Sequence, residues 1–304
     1  MSIRLSKYIN RSNWNIGFVA ISPEHLIDES KLGEIQWMKH NYKDRFFADP
    51  FILKISDKYI ILLAEEMLFD EAKGRIVELI VDKNTYSLCD RFLLLETDSH
   101  LSYPAYIREN GKVFVYPENG MSGALRIYEL DEDNHKLINS VVILNEAVAD
   151  ATIFMKGGKY WMTATKYPNT QEQVYLYCSE SIFGPYIQVD RQPFISNRRY
   201  SRPGGNFFTA YGQIYRPAQN CLIRYGSALT IMKVDFSQKL HEEFTFEIKP
   251  QSYKYNLGIH TINFSEGQCV VDGYGYLYPL IGRIYYSAFT TKIKKILKLI
   301  LHLR

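Results

Sequence analysis

The sequence predicts an all-β chain folded as a five-bladed β-propeller with a short C-terminal amphipathic helix, and three observations carry that prediction. A degenerate strand-turn-strand unit, first met at Phe46–Glu66, opens five times, as Ala48-Asp49-Pro50-Phe51-Ile52, Ser102-Tyr103-Pro104-Ala105-Tyr106, Ala149-Asp150-Ala151-Thr152-Ile153, Gly204-Gly205-Asn206-Phe207-Phe208 and Ile259-His260-Thr261-Ile262-Asn263. The second positions are residues 49, 103, 150, 205 and 260, giving periods of 54, 47, 55 and 55 residues. One repeat of that size cannot bury both faces of its sheet alone, and radial stacking of blades solves the problem. Finally, 24 Tyr and 17 Phe among 304 residues suit strands that pack on both faces.

Taken in order, Trp14–Ile21 predicts a strand that closes the ring as the outer strand of the last blade, because closure removes two exposed sheet edges. Residues 22–45 read as a polar connection with a short helix around Ser30–Trp37. Blade one is predicted as Pro50–Ile55, Tyr59–Glu65, Arg75–Val81 and Ser87–Leu94. Blade two follows as Ala105–Arg108, Val113–Tyr116, Ala124–Leu130 and Ser140–Leu144, with Asn110-Gly111 suited to a type I′ hairpin turn. Blade three is Ala151–Lys156, Tyr160–Thr165, Val174–Ser179 and Tyr186–Val189, and blade four is Asn206–Ala210, Gln213–Pro217, Ala228–Asp235 and Phe244–Ile248. The last blade is Ile259–Phe264, Gln268–Gly273 and Arg283–Phe289. Residues 1–289 thus form one propeller domain, and 290–304 a separate helix.

In that tail Ile293, Ile296, Leu297, Ile300 and Leu301 fall on one helical face, and Lys294, Lys295, Lys298 and His302 on the other. The pattern suits either docking on a protein surface or lying in the interface of an anionic membrane. No 18-residue apolar run is present, so no conventional span is predicted. The start, MSIRLSKYINRSNWN, lacks the apolar run of a secretory signal, and the four cysteines form no C-x-x-C pattern. Free thiols place the chain in the cytoplasm, peripheral at the inner face of the membrane if the tail binds lipid. A net charge of +3, from 36 basic and 33 acidic residues, gives no basis for a nucleic-acid partner.

The first strand of every blade lines the axis, so the five openings converge. Asp49, Asp150 and His260 fall in nearly equivalent slots, with Tyr103 and Gly205 completing the ring. A second ring comes from the ends of the second strands: Glu65 or Glu66, Glu118, Thr165, Gln219, and Asp272 or Tyr274. Paired carboxylates are what glycosidic chemistry requires, one to protonate the leaving oxygen and one to activate water or attack the anomeric carbon. Glu66, His100, Arg202, Arg216, Gln219, His260 and Asp272 are assigned to substrate. The arginines would clamp a phosphate or uronate, or simply pair with Asp150 or Glu118. No cofactor or metal is expected: Gly273-Tyr274-Gly275 opens no helix, no G-x-S-x-G or H-E-x-x-H occurs, and the seven histidines are scattered.

Ala48-Asp49-Pro50-Phe51, Glu65-Glu66, His100-Leu101-Ser102-Tyr103-Pro104, Pro117-Glu118, Tyr215-Arg216-Pro217-Ala218-Gln219, Tyr225-Gly226, His260-Thr261 and Val271-Asp272-Gly273, in this order and spacing, resemble the N-terminal domain of plant glucosamine inositolphosphorylceramide transferases. The resemblance covers roughly residues 12–290. It implies a five-bladed propeller akin to the furanosidase-type glycoside hydrolases, in which an Asp on the first inner strand is base or nucleophile and a Glu from a later blade is the acid. Asp49 matches the first, so the resemblance implies Asp49 as base or nucleophile, Glu118 as the acid and Asp150 as an orienting or pKa-setting group. At the second blade the chain departs from that pattern, with Tyr103-Pro104 where those hydrolases often carry Asp-Pro. In the plant proteins the domain accompanies a separate glycosyltransferase domain, which these residues do not contain. Similar domains in bacterial surface-polysaccharide loci imply a role in glycan assembly on a glycan, sugar-phosphate or nucleotide-sugar substrate. Two readings follow: glycosyl transfer or glycosidic-bond hydrolysis in the central cavity, or a non-catalytic glycan-binding or scaffold propeller.

Overall fold

The computed structural model describes residues 12–71, 73–236 and 240–280. The chain enters with strand β1 (Ser12–Val19), helix α1 (Pro23–Glu29) and strand β2 (Gln36–Trp37). Blade one is then β3 (Arg45–Ile55), β4 (Tyr59–Leu68), β5 (Gly74–Asp82) and β6 (Leu88–Leu95). Blade two is β7 (Tyr106–Glu109), β8 (Lys112–Val115), β9 (Leu125–Asp131) and β10 (Lys136–Leu144). Blade three is β11 (Val148–Lys156), β12 (Lys159–Lys166), β13 (Gln173–Ser179) and β14 (Ile187–Gln188), with β15 (Ile195–Ser196) also paired to β13. Blade four is β16 (Phe208–Ala210), β17 (Gln213–Asn220), β18 (Ala228–Asp235) and β19 (His241–Ile248). The last sheet begins with β20 (Ile262–Ser265) and β21 (Gln268–Tyr276). Five antiparallel sheets make the predicted five-bladed propeller.

Ring closure differs from the expectation in one respect. The last sheet runs β20-β21-β1-β2, so the N-terminus supplies its third and fourth strands rather than the fourth alone. β1 lies antiparallel to β21 from Ser12↔Tyr276 to Val19↔Cys269, the place expected for Arg283–Phe289. Those residues, and the predicted helix at 290–304, lie outside the described residues. The physical reason is legible in β1 itself: seven of its eight residues are buried, which suits a strand covered on both faces and not an outer one. The edge is closed again by Lys39, which bridges Ser87 of blade one, with Lys39 N–H donating to Tyr86 at 2.8 Å and Leu88 N–H to Lys39 at 2.9 Å.

The helix also sits earlier than expected. It spans Pro23–Glu29, not Ser30–Trp37, because Ser22 caps it by accepting from His25 N–H and Pro23 takes the first turn, where no N–H is needed. Ser30, at φ 52°, ends it. Leu26 anchors it in an apolar cluster with Phe208, Ile231, Ile262 and Val271, between blades four and five. Two further clusters fill other interfaces: one joins blades one, two and three around Phe51, Leu63, Tyr103, Tyr116 and Met162, the other joins the last blade to the first around Ile16, Phe18, Phe47, Leu62 and Val270. Each such apolar side chain contributes roughly 1.5–3 kcal/mol when fully buried.

At the second position of four openings the backbone turns left-handed: Asp49 (φ 49°), Tyr103 (φ 45°), Asp150 (φ 48°) and Gly205 (φ 133°). The pairing slips there by a bulge, between Ala48 and Phe51 in blade one and between Ala149 and Thr152 in blade three. A non-glycine residue in this conformation costs about 1–2 kcal/mol and persists where the surroundings over-determine it. Here the surroundings are side chains of other blades. Asp49 N–H donates to Asp272 at 3.2 Å, Tyr103 N–H to Asp49 at 3.1 Å, Asp150 N–H to Glu118 at 3.1 Å, and Gly205 N–H to the Tyr103 hydroxyl at 2.7 Å. In blades one and three the motif is thus a bulge that aims a carboxylate at the axis and hands its amide to the preceding blade, whereas Gly205 of blade four reaches across to blade two.

Candidate functional site

These interblade bonds assemble a polar axis with two halves. In the first, Asp272 accepts from the backbone N–H groups of His260 (2.9 Å) and Thr261 (3.1 Å), and its Oδ2 lies 2.5 Å from His260 Nδ1. His260 Nε2 is 3.6 Å from Asp49 Oδ1, which accepts the Thr261 hydroxyl at 2.7 Å. Burial pushes the imidazole down, but Asp272 and Asp49 outweigh it and hold His260 above its usual range. Burial, with Asp272 adding to it, pushes the Asp49 carboxyl up.

In the second half, Arg202 Nε donates to Asp150 Oδ2 at 2.6 Å, while Nη2 reaches Asp150 Oδ1 at 3.3 Å and Glu118 Oε2 at 3.4 Å. Gln219 Nε2 donates to the same Asp150 oxygen at 2.6 Å and to Pro203 O at 2.8 Å. Glu118 Oε1 accepts the Tyr167 hydroxyl. Burial alone would raise Glu118, yet Arg202 and these hydrogen bonds hold it below the usual carboxylate range.

Between the halves stands Glu65. Burial raises its carboxyl well above the ordinary range, and the charges of Asp49, Glu118, Asp272 and Asp150 raise it further. His100 Nε2 lies 3.5 Å from Glu65 Oε1, while its Nδ1 accepts Gly74 N–H at 2.9 Å. Burial lowers the pKa of His100, which favours the neutral ring that this acceptor role requires. The carboxyls are deep, while Tyr225 (38% exposed) and Tyr167 (43%) beside them reach the surface, the former with the Arg202 guanidinium 5.0 Å from its ring centre.

The structure therefore brings Asp49, Glu118, Asp150, His100, Arg202, Gln219, His260 and Asp272 to the axis, and separates two residues from it. Glu66 is fully buried among Arg45 Nη1 (2.9 Å), Arg75 Nε (2.7 Å) and Arg91 Nε (2.7 Å), all of blade one. Because Ala48 pairs with Glu65 and Phe47 with Glu66, the two carboxylates point to opposite faces of β4, and Glu65 takes the axial place. Arg216 is likewise fully buried, bonded to Glu242 at 2.7 and 2.6 Å and to the carbonyls of Tyr200 and Ser201. It locks blade four internally. Glu118, expected as the acid, is paired with Arg202 at 3.4 Å, which favours its ionised form.

Asp49, His260 and Asp272 each offer a ligand atom within 4.8 Å of the others, a spacing that a metal ion could use. The same groups also bond within the protein: Asp272 accepts two amides and the Asp49 N–H and faces His260, and Asp49 accepts from Thr261 and Tyr103.

Trp14, Thr261, Tyr167 and Tyr225 join the site without having been assigned to it from sequence. Trp14 stacks on His260 with ring centres 3.9 Å apart, and it reaches the axis only through the N-terminal closure. His260-Thr261 and Tyr225-Gly226 did stand out as motifs, which was the available signal for two of the four.

A family model described as "Glucosamine inositolphosphorylceramide transferase 1, N-terminal" matches residues 33–257. The protein named glucosamine inositolphosphorylceramide transferase 1 from Oryza sativa subsp. japonica is 25% identical over 226 residues, covering 72% of this chain and 29% of that protein. The Arabidopsis thaliana protein of the same name is 26% identical over 153 residues, covering 48% and 20%. The chain thus spans less than a third of the length of these relatives. Among solved structures, a thermostable family-43 glycoside hydrolase superposes with a TM-score of 0.54 at 14% identity, covering 72% of this chain and 83% of that one. An α-L-arabinanase from Cellvibrio cellulosa gives a TM-score of 0.51 at 16% identity, covering 67% and 81%. At such identities the likeness establishes the fold.

Proposed function

Since the chain belongs to the family of glucosamine inositolphosphorylceramide transferase N-terminal domains, we propose that it is a carbohydrate-active protein that makes or breaks a glycosidic bond at the axial mouth, in the assembly of a surface polysaccharide. The observation that carries this reading is the convergence of carboxyls from three blades on one axis, Asp49, Glu65, Glu118 and Asp150, among which burial and the surrounding charges push Glu65 up while Arg202 holds Glu118 down. Groups whose environments separate their pKa values in this way are suited to acid and base roles. Glu65 donates its proton to the glycosidic oxygen as the bond to the anomeric carbon breaks. Glu118 takes the proton of the attacking hydroxyl, from water or from an acceptor sugar. Asp49 and Asp150 act behind this pair, Asp49 by raising Glu65 and Asp150 by fixing Arg202. Arg202 faces a phosphate on the substrate, and Tyr225 and Tyr167 offer ring faces to the sugar.

The test is turnover on a panel of aryl glycosides and nucleotide sugars, with Glu65→Gln and Glu118→Gln beside the parent protein. General acid and base groups contribute on the order of 10²–10⁴-fold each, so both variants should fall by that order. Turnover undiminished in both would end the reading.

A second reading, glycan binding without turnover, is favoured by one observation: Asp49, Asp150 and Asp272 spend their oxygens on protein donors. On that reading a glycan binds, and the two Gln variants bind it as the parent does. Basic, amphipathic residues 290–304 hold the propeller at the cytoplasmic face of an anionic membrane, near lipid-linked acceptors.

A further inference from the structure

Away from the axis, a cavity of about 750 Å³ lies at the ring seam, between the closing strands β1 and β2 and the outer strand of blade one. That volume falls in the range of small-molecule sites. Its walls combine Lys39, Lys43, Lys254 and Arg91 with the rings of Trp37, Tyr42 and Tyr255, and Asp90 is the one acidic residue among them. Arg91 is committed to Glu66. The three lysines have no carboxylate partner among the described residues.

The floor of the cavity is incomplete in hydrogen bonding. Asn13 and Asn15 are 6% and 3% exposed, and Oδ1 of each has no hydrogen-bond partner among the described residues; Nδ1 of His40 has none either. Buried polar groups are normally paired, and three orphans beneath one cavity mark where a ligand would supply the partners. Both Asn oxygens are acceptors, so the missing partners are donors. Burial, then Lys254 and Lys43, push His40 down to about 4, so its ring adds no charge. A bare phosphate would satisfy the lysines and leave the acceptors orphaned; a neutral sugar would do the reverse.

We propose that the seam cavity binds a phosphorylated sugar or polyol, its phosphate among Lys39, Lys43 and Lys254, and its hydroxyls donating to Asn13 and Asn15. Aromatic walls suit the apolar face of such a ring. Because the cavity is built from both ends of the ring, its ligand stabilises closure and raises the melting temperature. The site is distinct from the axial one and does not depend on the reading given to it.

The probe is glucose 6-phosphate, titrated calorimetrically into the full chain, with glucose and inorganic phosphate as controls. Saturable binding is expected, with a raised melting temperature, weakened roughly tenfold or more in the surface double variant Lys43→Ala/Lys254→Ala and retained in Glu65→Gln. Four results would overturn the proposal: no saturation by about 10 mM probe, unchanged binding in the lysine double variant, loss of binding in Glu65→Gln, or inorganic phosphate binding as tightly as the ester.

Discussion

Oδ2 of Asp272 lies 2.5 Å from Nδ1 of His260, and the imidazole rests on Trp14 at an interplanar angle of 16°. The same oxygen of Asp272 accepts the N–H of Asp49, so one carboxylate ties the last blade to the first. His260 is 2% exposed and its pKa is raised above 6.5 by Asp272 and Asp49 against the opposing effect of burial. A group with a raised folded-state pKa contributes stability that is complete below its unfolded value and is lost as pH rises through the folded one. The chain should therefore lose stability as pH climbs above 6.5, and His260→Gln should reduce that loss. Urea melts of both proteins at pH 6 and at alkaline pH measure the difference; an equal gap at every pH would refute the assignment.

Turnover, where a substrate is found, should depend on pH as a bell. Glu118, held low, must be ionised, so activity falls on the acid side as pH drops through its depressed value. Glu65, held high, must be protonated, so activity falls on the alkaline side as pH passes its raised value. Residual activity in Glu65→Gln should lack the alkaline limb. A limb that persists there belongs to another group.

Glu66 should prove structural. Burial alone would raise its carboxyl, yet Arg91, Arg45 and Arg75 hold it below 4.5, and Glu66→Gln strips Arg91 of its carboxylate partner and leaves Arg45 and Arg75 only Asp44 and Glu96. The expected cost is about 3 kcal/mol in chemical denaturation. Because the folded pKa is depressed, this contribution is present above 4.5 and fades as pH falls through the folded value. A change below about 0.5 kcal/mol would contradict the burial of this cluster.

Gly205 should tolerate no side chain. A Cβ there would lie 1.9 Å from the carbonyl oxygen of Ile262, at a φ of 133° that other residues avoid. Gly205→Ala should cost at least about 3 kcal/mol, read as lost soluble yield or a lowered melting temperature. Gly111→Ala, with open space around its Cβ, is the matched control and bears only the strain of its φ of 76°.

Deleting residues 290–304 should abolish sedimentation with vesicles rich in phosphatidylserine, while the intact chain binds and is released by salt. Four lysines lie between residues 292 and 298, and each contributes about 1 kcal/mol near an anionic leaflet. Equal sedimentation of truncated and intact chains would remove the membrane from the account.

The family model spans most of the propeller that the repeat spacing had outlined, and the five openings at residues 49, 103, 150, 205 and 260 do meet at one axis. Period, alternation and turn residues are local properties, so the blades and their order could be read from the chain itself. Side-chain direction is not local. Glu65 and Glu66 are adjacent and chemically alike, and only the pairing of Ala48 with Glu65, set beside a bulge, sends one to the axis and the other into an arginine cluster. Arg202 and Arg216 carry the same charge, and only the placement of Asp150 and Glu242 separates an axial clamp from an internal lock. The cavity at the seam was illegible for the same reason: Asn13, His40, Arg91 and Lys254 share no segment and meet where the ring closes. The sequence alone determined which strands exist and that polar residues from every blade converge, because repetition and periodicity are written into neighbouring residues. Tertiary structure decided which of those residues face each other and which keep their protons, because register, burial and field arise only once distant blades are packed together.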